Sequence, residues 1–268
     1  MRLAALFSGG KDSAYSAYRA IQEGHTVACL VSAAPVSPDS MLFHAPNTHI
    51  TGLQAISMGI PRICARSGPS DADSEEKLLA ESLLFARDEY RIQGVVHGGL
   101  SSAFQKRHFE GACGSAGLEA VAPLWGLEPG QYMRSLVDDG FRFIITAVSA
   151  GGLGARWLGR EIGRREIDEL GRISARHGLG LAFEGGEAET LVVDCPLFSR
   201  EIRILRSRGS WDGCRGIFEI EAAGLSRHAR RPQDQPPVGN KKDSQLAGGR
   251  RKADTRAGAR RPEGADTL

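Results

Sequence analysis

Cysteine is scarce and unpaired in this chain of 268 residues. Cys29, Cys64, Cys113, Cys195 and Cys214 form no CxxC pair, and the nearest two are Cys195 and Cys214. An odd count without metal-ligand spacing argues against a disulfide framework or a zinc site and for reduced thiols. Cys29, inside an apolar run, reads as a small core side chain. Sulfur-transfer chemistry, which usually needs a paired or reactive cysteine, is disfavoured. Long apolar runs are missing too: none approaches the roughly 20 residues that cross a bilayer, so no membrane partner is expected. The apolar stretch Leu3 to Phe7 behind Met1-Arg2 is too short for a signal-peptide core, and a cytoplasmic location is the expectation. No internal repeat is visible.

An excess of charge is also absent, although the small net value of +2 hides an asymmetry. Residues 226–268 carry 11 Lys/Arg against 5 Asp/Glu, leaving 23 against 27 in the rest. A mildly acidic body gives no reason to expect a surface that coats nucleic acid. The segment 225–268 is rich in Arg, Gly, Pro and Asp and nearly devoid of large apolar residues. It cannot bury enough surface to offset its ordering entropy, and a disordered basic tail is expected, the one place where nucleic acid could bind.

What is present is a strand–helix alternation. Arg2–Phe7 reads as a buried strand, Ser13–Glu23 as a helix that Gly24 ends, and His25–Ala34 as a second strand. Helix Thr48–Met58 and strand Ile60–Ala65 follow. A helix then opens at an Asp73/Glu76 capping box and carries Leu79, Leu83, Ala86 and Tyr90 on one stripe. Strand Gly94–His97, helix Ser101–Ala116 and strand Leu118–Ala122 complete the run. Alternation of this kind implies right-handed crossovers and a doubly wound, mostly parallel α/β sheet. Beyond Pro123 the rhythm loosens: helix Pro129–Asp138, strand Phe141–Val148, helix Arg164–His177, strands at Leu181–Phe183 and Thr190–Asp194, then a hairpin of Glu201–Arg208 with Gly216–Glu221. That half reads as a smaller α+β domain. The expected division is 1–124, 125–224 and the tail 225–268.

The sharpest signal is Ser8-Gly9-Gly10-Lys11-Asp12-Ser13 between the first strand and the first helix. It is neither GxxxxGK[ST], since Ala5 stands where the first glycine would be, nor GxGxxG. Its physics is still that of an anion cradle. The glycines let backbone N–H groups converge on phosphate oxygens, Ser8 and Ser13 add hydroxyls, and the helix start adds positive potential. Lys11 can neutralise phosphate charge and Asp12 can hold Mg²⁺ directly or through water. The alternative, an ordinary βα turn with an Asp near the helix start, leaves six matching residues in that context to coincidence.

This string resembles the SGGxDS loop of the N-type ATP pyrophosphatases, which cleave ATP between its α- and β-phosphates and leave AMP on the substrate's oxygen. The resemblance implies an adenine nucleotide α-hydrolase-like fold, with ATP and Mg²⁺ as cofactors and adenine near Leu6, Phe7 and Ser32. Further segments narrow the family. Met41 to His44 with Asn47-Thr48-His49, Leu53-Gln54-Ala55 and Met58 to Pro61, then Gly94 to Arg107, then Glu184-Gly185-Gly186-Glu187-Ala188-Glu189-Thr190 with Asp194 to Phe198, all resemble blocks of the diphthine–ammonia ligases. The resemblance spans 1–222 and implies ATP-dependent amidation of diphthine on translation elongation factor 2 by free ammonium, through an acyl-adenylate. The alternatives are another member of the superfamily, such as a tRNA-modifying thiolase or a lysidine-type synthetase, or a regulator that holds the nucleotide without turnover.

Ser101, Ser102, Gln105 and Arg107, at a strand end and helix start, are placed to reach a phosphate, with a capped, solvated helix as the alternative, and Ser32 is assigned to the nucleotide beside its adenine. Glu184, Glu187 and Glu189, with Gly185, Gly186 and Thr190, are assigned to the substrate, and Lys11, Asp12, Glu187 and Glu189 to catalysis. Three acids beside an anion site repel each other and ATP, so a cation is expected among them: of Mg²⁺, ammonium and the trimethylammonium group of diphthine, one of the last two is favoured, with a solvated acidic turn as the alternative. Trp125, Tyr132 or Trp157 would add cation–π contact. His44 and His97 stand beside strands, where a lone histidine is usually structural, and neither is assigned to catalysis.

Overall fold

The computed structural model describes residues 1–34, 47–66 and 71–227. Met41 to His44 and all of the basic tail beyond residue 227 lie outside them.

Five short strands, β1 (Arg2–Leu6), β2 (Thr26–Ala34), β3 (Arg62–Arg66), β4 (Gly94–Val96) and β5 (Glu119–Val121), form one parallel sheet in the order β3-β2-β1-β4-β5. The alternation read from the sequence is borne out. Period-2 geometry sends β1 side chains to opposite faces. Leu3, Ala5 and Phe7 enter a core shared with α1 (Lys11–Gln22), whereas Ala4 and Leu6 enter a second core under α3 (Ala72–Tyr90) and α4 (Ala103–Ser115). A strand covered on both faces has no polar side, which is why β1 reads as an unbroken apolar run. The chain winds outward from β1 to β3, then returns to place β4 on the other flank of β1. Ligands of open α/β sheets settle outside the carboxyl ends at such a reversal. The Ser8–Ser13 loop and His97-Gly98-Gly99 leave the sheet there.

The second sheet is antiparallel: β6 (Arg142–Val148), β7 (Ala188–Asp194), β8 (Ile202–Trp211) and β9 (Gly216–Leu225), in the order β7-β6-β9-β8. Helices α5 (Pro129–Asp138) and α6 (Arg164–His177) pack with it. Glu128 caps α5 by accepting from the Gly130 and Gln131 N–H groups at 2.8 and 2.6 Å, with Pro129 in the first turn where its missing N–H costs nothing. So held, α5 drives Tyr132, Met133 and Leu136 into the same core that β1 and α1 enter. The segment before α2 (Thr51–Met58) bonds to β9: Asn47 Nδ2 donates to the Phe218 carbonyl at 3.0 Å and Asn47 Oδ1 accepts from Ile220 N–H at 2.7 Å.

Three local expectations change. Leu181–Phe183 forms no strand; it is a turn ending at Phe183 with φ 63°. The cap of α3 is Asp71, accepting from Ser74 N–H at 2.9 Å, ahead of the expected Asp73. The final hairpin is longer than its hydrophobic pattern, because β8 from Arg203 onward is mostly solvent-facing and its register rests on backbone pairing with β9.

Candidate active site

α1 begins at Lys11 with Gly10 as its N-cap and no side-chain cap. Its first N–H groups are therefore left for an anion, except that of Lys11, which donates to Thr190 Oγ1 at 3.2 Å. Thr190 lies on β7, the edge strand of the second sheet, and that edge covers the loop. Val192 N–H donates to the Gly9 carbonyl at 3.0 Å, and Gln54 Nε2 bridges the Gly9 and Val192 carbonyls at 3.0 and 2.8 Å. Gly9 has φ 83° and packs against the Gln54 amide, so no other residue fits there. Ser8 Oγ donates to Ser13 Oγ at 3.2 Å, and Ser13 Oγ to the Gly10 carbonyl at 3.1 Å, which fixes the loop's curvature.

The loop and β7 enclose a cavity of about 390 Å³. Leu6, Phe7, Val31 and Phe109 give it an apolar end; Ser8, Gly10, Lys11, Asp12 and Ser13 give it a polar one. Gln105, His97, Gly98, Glu184, Gly185, Gly186, Glu189 and Thr190 complete the wall. An apolar pocket with a few convergent polar groups is the usual form of a small-molecule site.

Lys11 is buried, and its ammonium donates to Asp12 Oδ1 and Oδ2 at 3.0 and 2.9 Å and to the Ala182 carbonyl at 2.7 Å. Tyr132 O–H donates to Asp12 Oδ1 at 2.6 Å. Burial, then the Asp12 charge, holds the Tyr132 phenol well above its ordinary pKa, so it stays a donor. Asp12 remains 31% exposed toward the cavity, and among these contacts Oδ2 accepts only once. That leaves a carboxylate oxygen that could accept a divalent cation. Among the described residues no group of three His, Cys, Asp or Glu could hold a metal by itself.

The glutamate cluster divides. Glu184 Oε2 accepts from Leu100 N–H at 3.3 Å, Ser101 N–H at 2.9 Å and Ser101 Oγ at 3.3 Å. Glu187 turns away from the cavity and accepts from Gly180 N–H at 2.7 Å and Gly185 N–H at 2.9 Å. Backbone N–H groups, with the Ser101 hydroxyl on Glu184, are the partners of these two carboxylates. Glu189 alone lines the cavity with no hydrogen-bond partner among the described residues. Burial pushes its carboxyl up to about 7, with Asp12 adding to the shift and Lys11 opposing it.

Other expectations separate as well. Ser101 is held by Glu184, Arg107 is exposed away from the cavity wall, and Ser32 is buried, with no partner for its Oγ among the described residues, and does not border the cavity. Gln105 does border it; its N–H is held by the α4 cap Ser102 at 3.3 Å. The aromatic cage does not assemble: Trp157 is fully buried with Arg160 on its ring at 4.8 Å, Tyr132 serves Asp12, and Lys106 covers Trp125 at 4.3 Å. His97 is a site residue that sequence reasoning set aside. It is 1% exposed, borders the cavity and lies against Phe109, with ring centroids 5.2 Å apart. Its one sequence-level signal is its position at the carboxyl end of β4, beside the loop.

Comparison with known proteins bears on both halves. The diphthamide synthase N-terminal domain family model matches residues 1–120, and the diphthamide synthase C-terminal domain model matches residues 128–225. The chain is similar to the diphthine–ammonia ligase of Rattus norvegicus, with 33% identity over 247 residues, covering 84% of this chain and 92% of the relative. The diphthine–ammonia ligase of Homo sapiens is 30% identical over 220 residues, covering 75% and 82%. That of Danio rerio is 29% identical over 222 residues, covering 76% and 86%.

Proposed function

This chain belongs to the diphthine–ammonia ligase family and is a ligase that forms a carbon–nitrogen bond; on that premise we propose that it amidates diphthine on translation elongation factor 2 with free ammonium, through an acyl-adenylate. The observation that carries the reading is the closure of one cavity by the Ser8–Ser13 loop and the Glu184–Thr190 segment, joined by the bond from Lys11 N–H to Thr190 Oγ1. Nucleotide and carboxylate substrate would then share one chamber.

In this reading the phosphates of ATP rest on the loop and the open start of α1, with Ser8 and Ser13 beside them and adenine at the apolar end by Leu6, Phe7 and Val31. Asp12, aligned by Tyr132 and Lys11, would hold Mg²⁺, which would supply charge neutralisation on the phosphate oxygens. The diphthine carboxylate attacks the α-phosphorus, pyrophosphate leaves, and a mixed anhydride forms. Ammonia attacks the acyl carbon and AMP departs. Glu189 takes the proton that ammonium must lose before it can attack; a carboxyl near 7 is suited to that transfer at neutral pH. Glu184 and Glu187 shape the turn that presents Glu189. Residues 1–124 form the nucleotide-binding part, 125–224 the substrate-recognition part, and the site operates in the cytoplasm.

Sulfur transfer fits less well. None of the five cysteines borders the cavity, and burial raises the Cys29 and Cys113 thiols to about 11 and about 12. The test is release of AMP and pyrophosphate from Mg·ATP with ammonium, with and without diphthine-bearing elongation factor 2. Release that requires both co-substrates and is lost in Asp12→Ala is the expected result. Release without the factor, or none with it, overturns the reading.

A further inference from the structure

Gln54 is fully buried within α2, and both N–H groups of its amide go to backbone carbonyls of other elements. Nε2 donates to the Gly9 carbonyl at 3.0 Å and to the Val192 carbonyl at 2.8 Å. Oε1 has no hydrogen-bond partner among the described residues. A buried acceptor left unpaired costs free energy, so packing alone would favour an apolar side chain of the same length. The position uses the two donors of one neutral amide. Gln54 does not border the cavity, so any effect it has on a ligand passes through what it holds.

It holds the peptide between Gly9 and Gly10. A trans peptide points its C=O and its N–H in opposite directions. Between two glycines that plane turns over easily, because neither neighbour carries a Cβ. The Gly9 carbonyl is fixed toward α2 and β7, where it accepts from Gln54 Nε2 and, at 3.0 Å, from Val192 N–H. The Gly10 N–H therefore faces the other way, toward Ser8 Oγ at 3.4 Å, and Gly10 and Ser8 both border the cavity. That bond is long, so the N–H is open to a better acceptor. With the plane reversed, the Gly9 carbonyl would face the cavity and repel an anion. We propose that Gln54 is a positioning residue that locks the Gly9–Gly10 peptide so that the Gly10 N–H is offered to a phosphate oxygen of the nucleotide, an inference resting on the reading that the cavity binds ATP.

The test uses the full chain with Gln54→Met, which keeps the length and removes the donors, and Gln54→Glu, which keeps the shape of the group. Leu170→Ala is the control: Leu170 is buried in α6 and does not border the cavity, so its loss destabilises the fold without touching the loop. Dissociation constants for Mg·ATP, magnesium pyrophosphate and adenosine are measured by calorimetry, and the Gly10 amide is followed by NMR. In both Gln54 variants, binding of ATP and pyrophosphate weakens tenfold or more while adenosine binding is unchanged. Leu170→Ala lowers the melting temperature and keeps the wild-type pyrophosphate affinity. In the wild type the Gly10 amide proton moves downfield when magnesium pyrophosphate is added; in Gln54→Met it does not. Wild-type pyrophosphate affinity in Gln54→Met overturns the proposal, as does an equal loss in Leu170→Ala, which shows a packing role. A Gly10 amide that does not respond in the wild-type pyrophosphate complex overturns it even if neither Gln54 variant folds. Failure of the wild-type chain to bind Mg·ATP is a separate result; it removes the ATP reading itself and this assignment with it.

Discussion

Gly98→Ala tests whether the position of the phosphate loop sets the rate. The added Cβ would lie 2.6 Å from the Asp12 carbonyl carbon and 2.8 Å from both the Asp12 oxygen and the Ser13 nitrogen. All three atoms belong to backbone, so no side-chain rotation can relieve the contact. Carbon atoms rest about 3.5–4.0 Å apart, and the Asp12–Ser13 peptide would have to retreat by about 1 Å. Overpacking of this kind costs about 1–3 kcal/mol, a fall in melting temperature of roughly 2–12 °C for a domain of this size. Displacing a positioning element by about 1 Å costs on the order of 100-fold in rate. The expected outcome is a folded protein whose kcat/KM for AMP formation falls about 100-fold, with weaker Mg·ATP binding. Gly114→Ala is the control, because its Cβ meets nothing within 4 Å and it sits inside α4. It should gain up to about 1 kcal/mol from helix propensity and keep full activity. Wild-type kcat/KM in a destabilised Gly98→Ala would refute the link between loop position and rate.

Tyr132→Phe removes a 2.6 Å bond to Asp12; bonds to charged groups contribute about 1.5–3 kcal/mol, so stability drops by that order and kcat by about tenfold or more, read by thermal melts and AMP release. Glu189→Gln should abolish ammonium-dependent turnover while pyrophosphate release on adenylation persists, which a single-turnover assay separates. The same substitution changes the pH dependence of stability. The folded carboxyl titrates near 7 and an unfolded glutamate near about 4.3, so between those values the folded state binds more protons and Glu189 makes stability fall as pH rises. Glu189→Gln removes that slope, and denaturant titrations across the window check it; a slope unchanged from wild type would contradict the raised pKa. Glu184 accepts all its bonds through Oε2, so Glu184→Gln keeps the acceptor and should cost little. Glu187 uses both oxygens, so Glu187→Gln turns an amide N–H₂ toward a backbone N–H and should cost about 1–3 kcal/mol in melting experiments.

Much of the first sheet was legible because its central strands β1, β2 and β4 send buried side chains into both cores. Leu3 to Phe7 and the continuous run into Ala34 could be little else. The phosphate loop was legible because an anion cradle needs particular residues at particular spacing. The site beyond it was harder to read. Glu184, Glu187 and Glu189 look alike in a string of letters, and their different fates depend on which backbone N–H groups come within reach. Those donors sit at Leu100 and Ser101, far away in sequence, and at Gly180, just ahead of the turn whose sequence reads as a strand. Tyr132 and Trp157 were offered as cage aromatics, yet helical periodicity around Tyr132 and the complete burial of Trp157 assign both to the core. His97 was set aside on frequency alone. What distinguishes it is an unpartnered nitrogen, which only coordinates reveal.

An acidic segment against a phosphate site presents a charge problem, and the fold resolves part of it with backbone N–H groups. Glu184 and Glu187 are each satisfied by two backbone N–H dipoles, which lowers the field they project into the cavity. Lys11 and Asp12 neutralise one another at 2.9 Å. Glu189 then carries the charge that responds to the ligand, since its carboxyl lies close to half-protonation at neutral pH. On the proposed reaction, the negative charge of bound ATP raises that carboxyl further, because like charge favours the neutral form. In that case Glu189 would be protonated while the phosphates are in place wherever their charge outweighs that of a Mg²⁺ ion on Asp12. Departure of pyrophosphate would remove most of that charge and let Glu189 ionise as the acyl-adenylate needs an amine. The emerging carboxylate attracts ammonium and can take its proton, whereas before that moment the site has little attraction for it. Ammonium affinity should accordingly be lower in the ATP complex than in the AMP complex. A general base whose charge is set by the leaving group would order the two proposed half-reactions without a moving part.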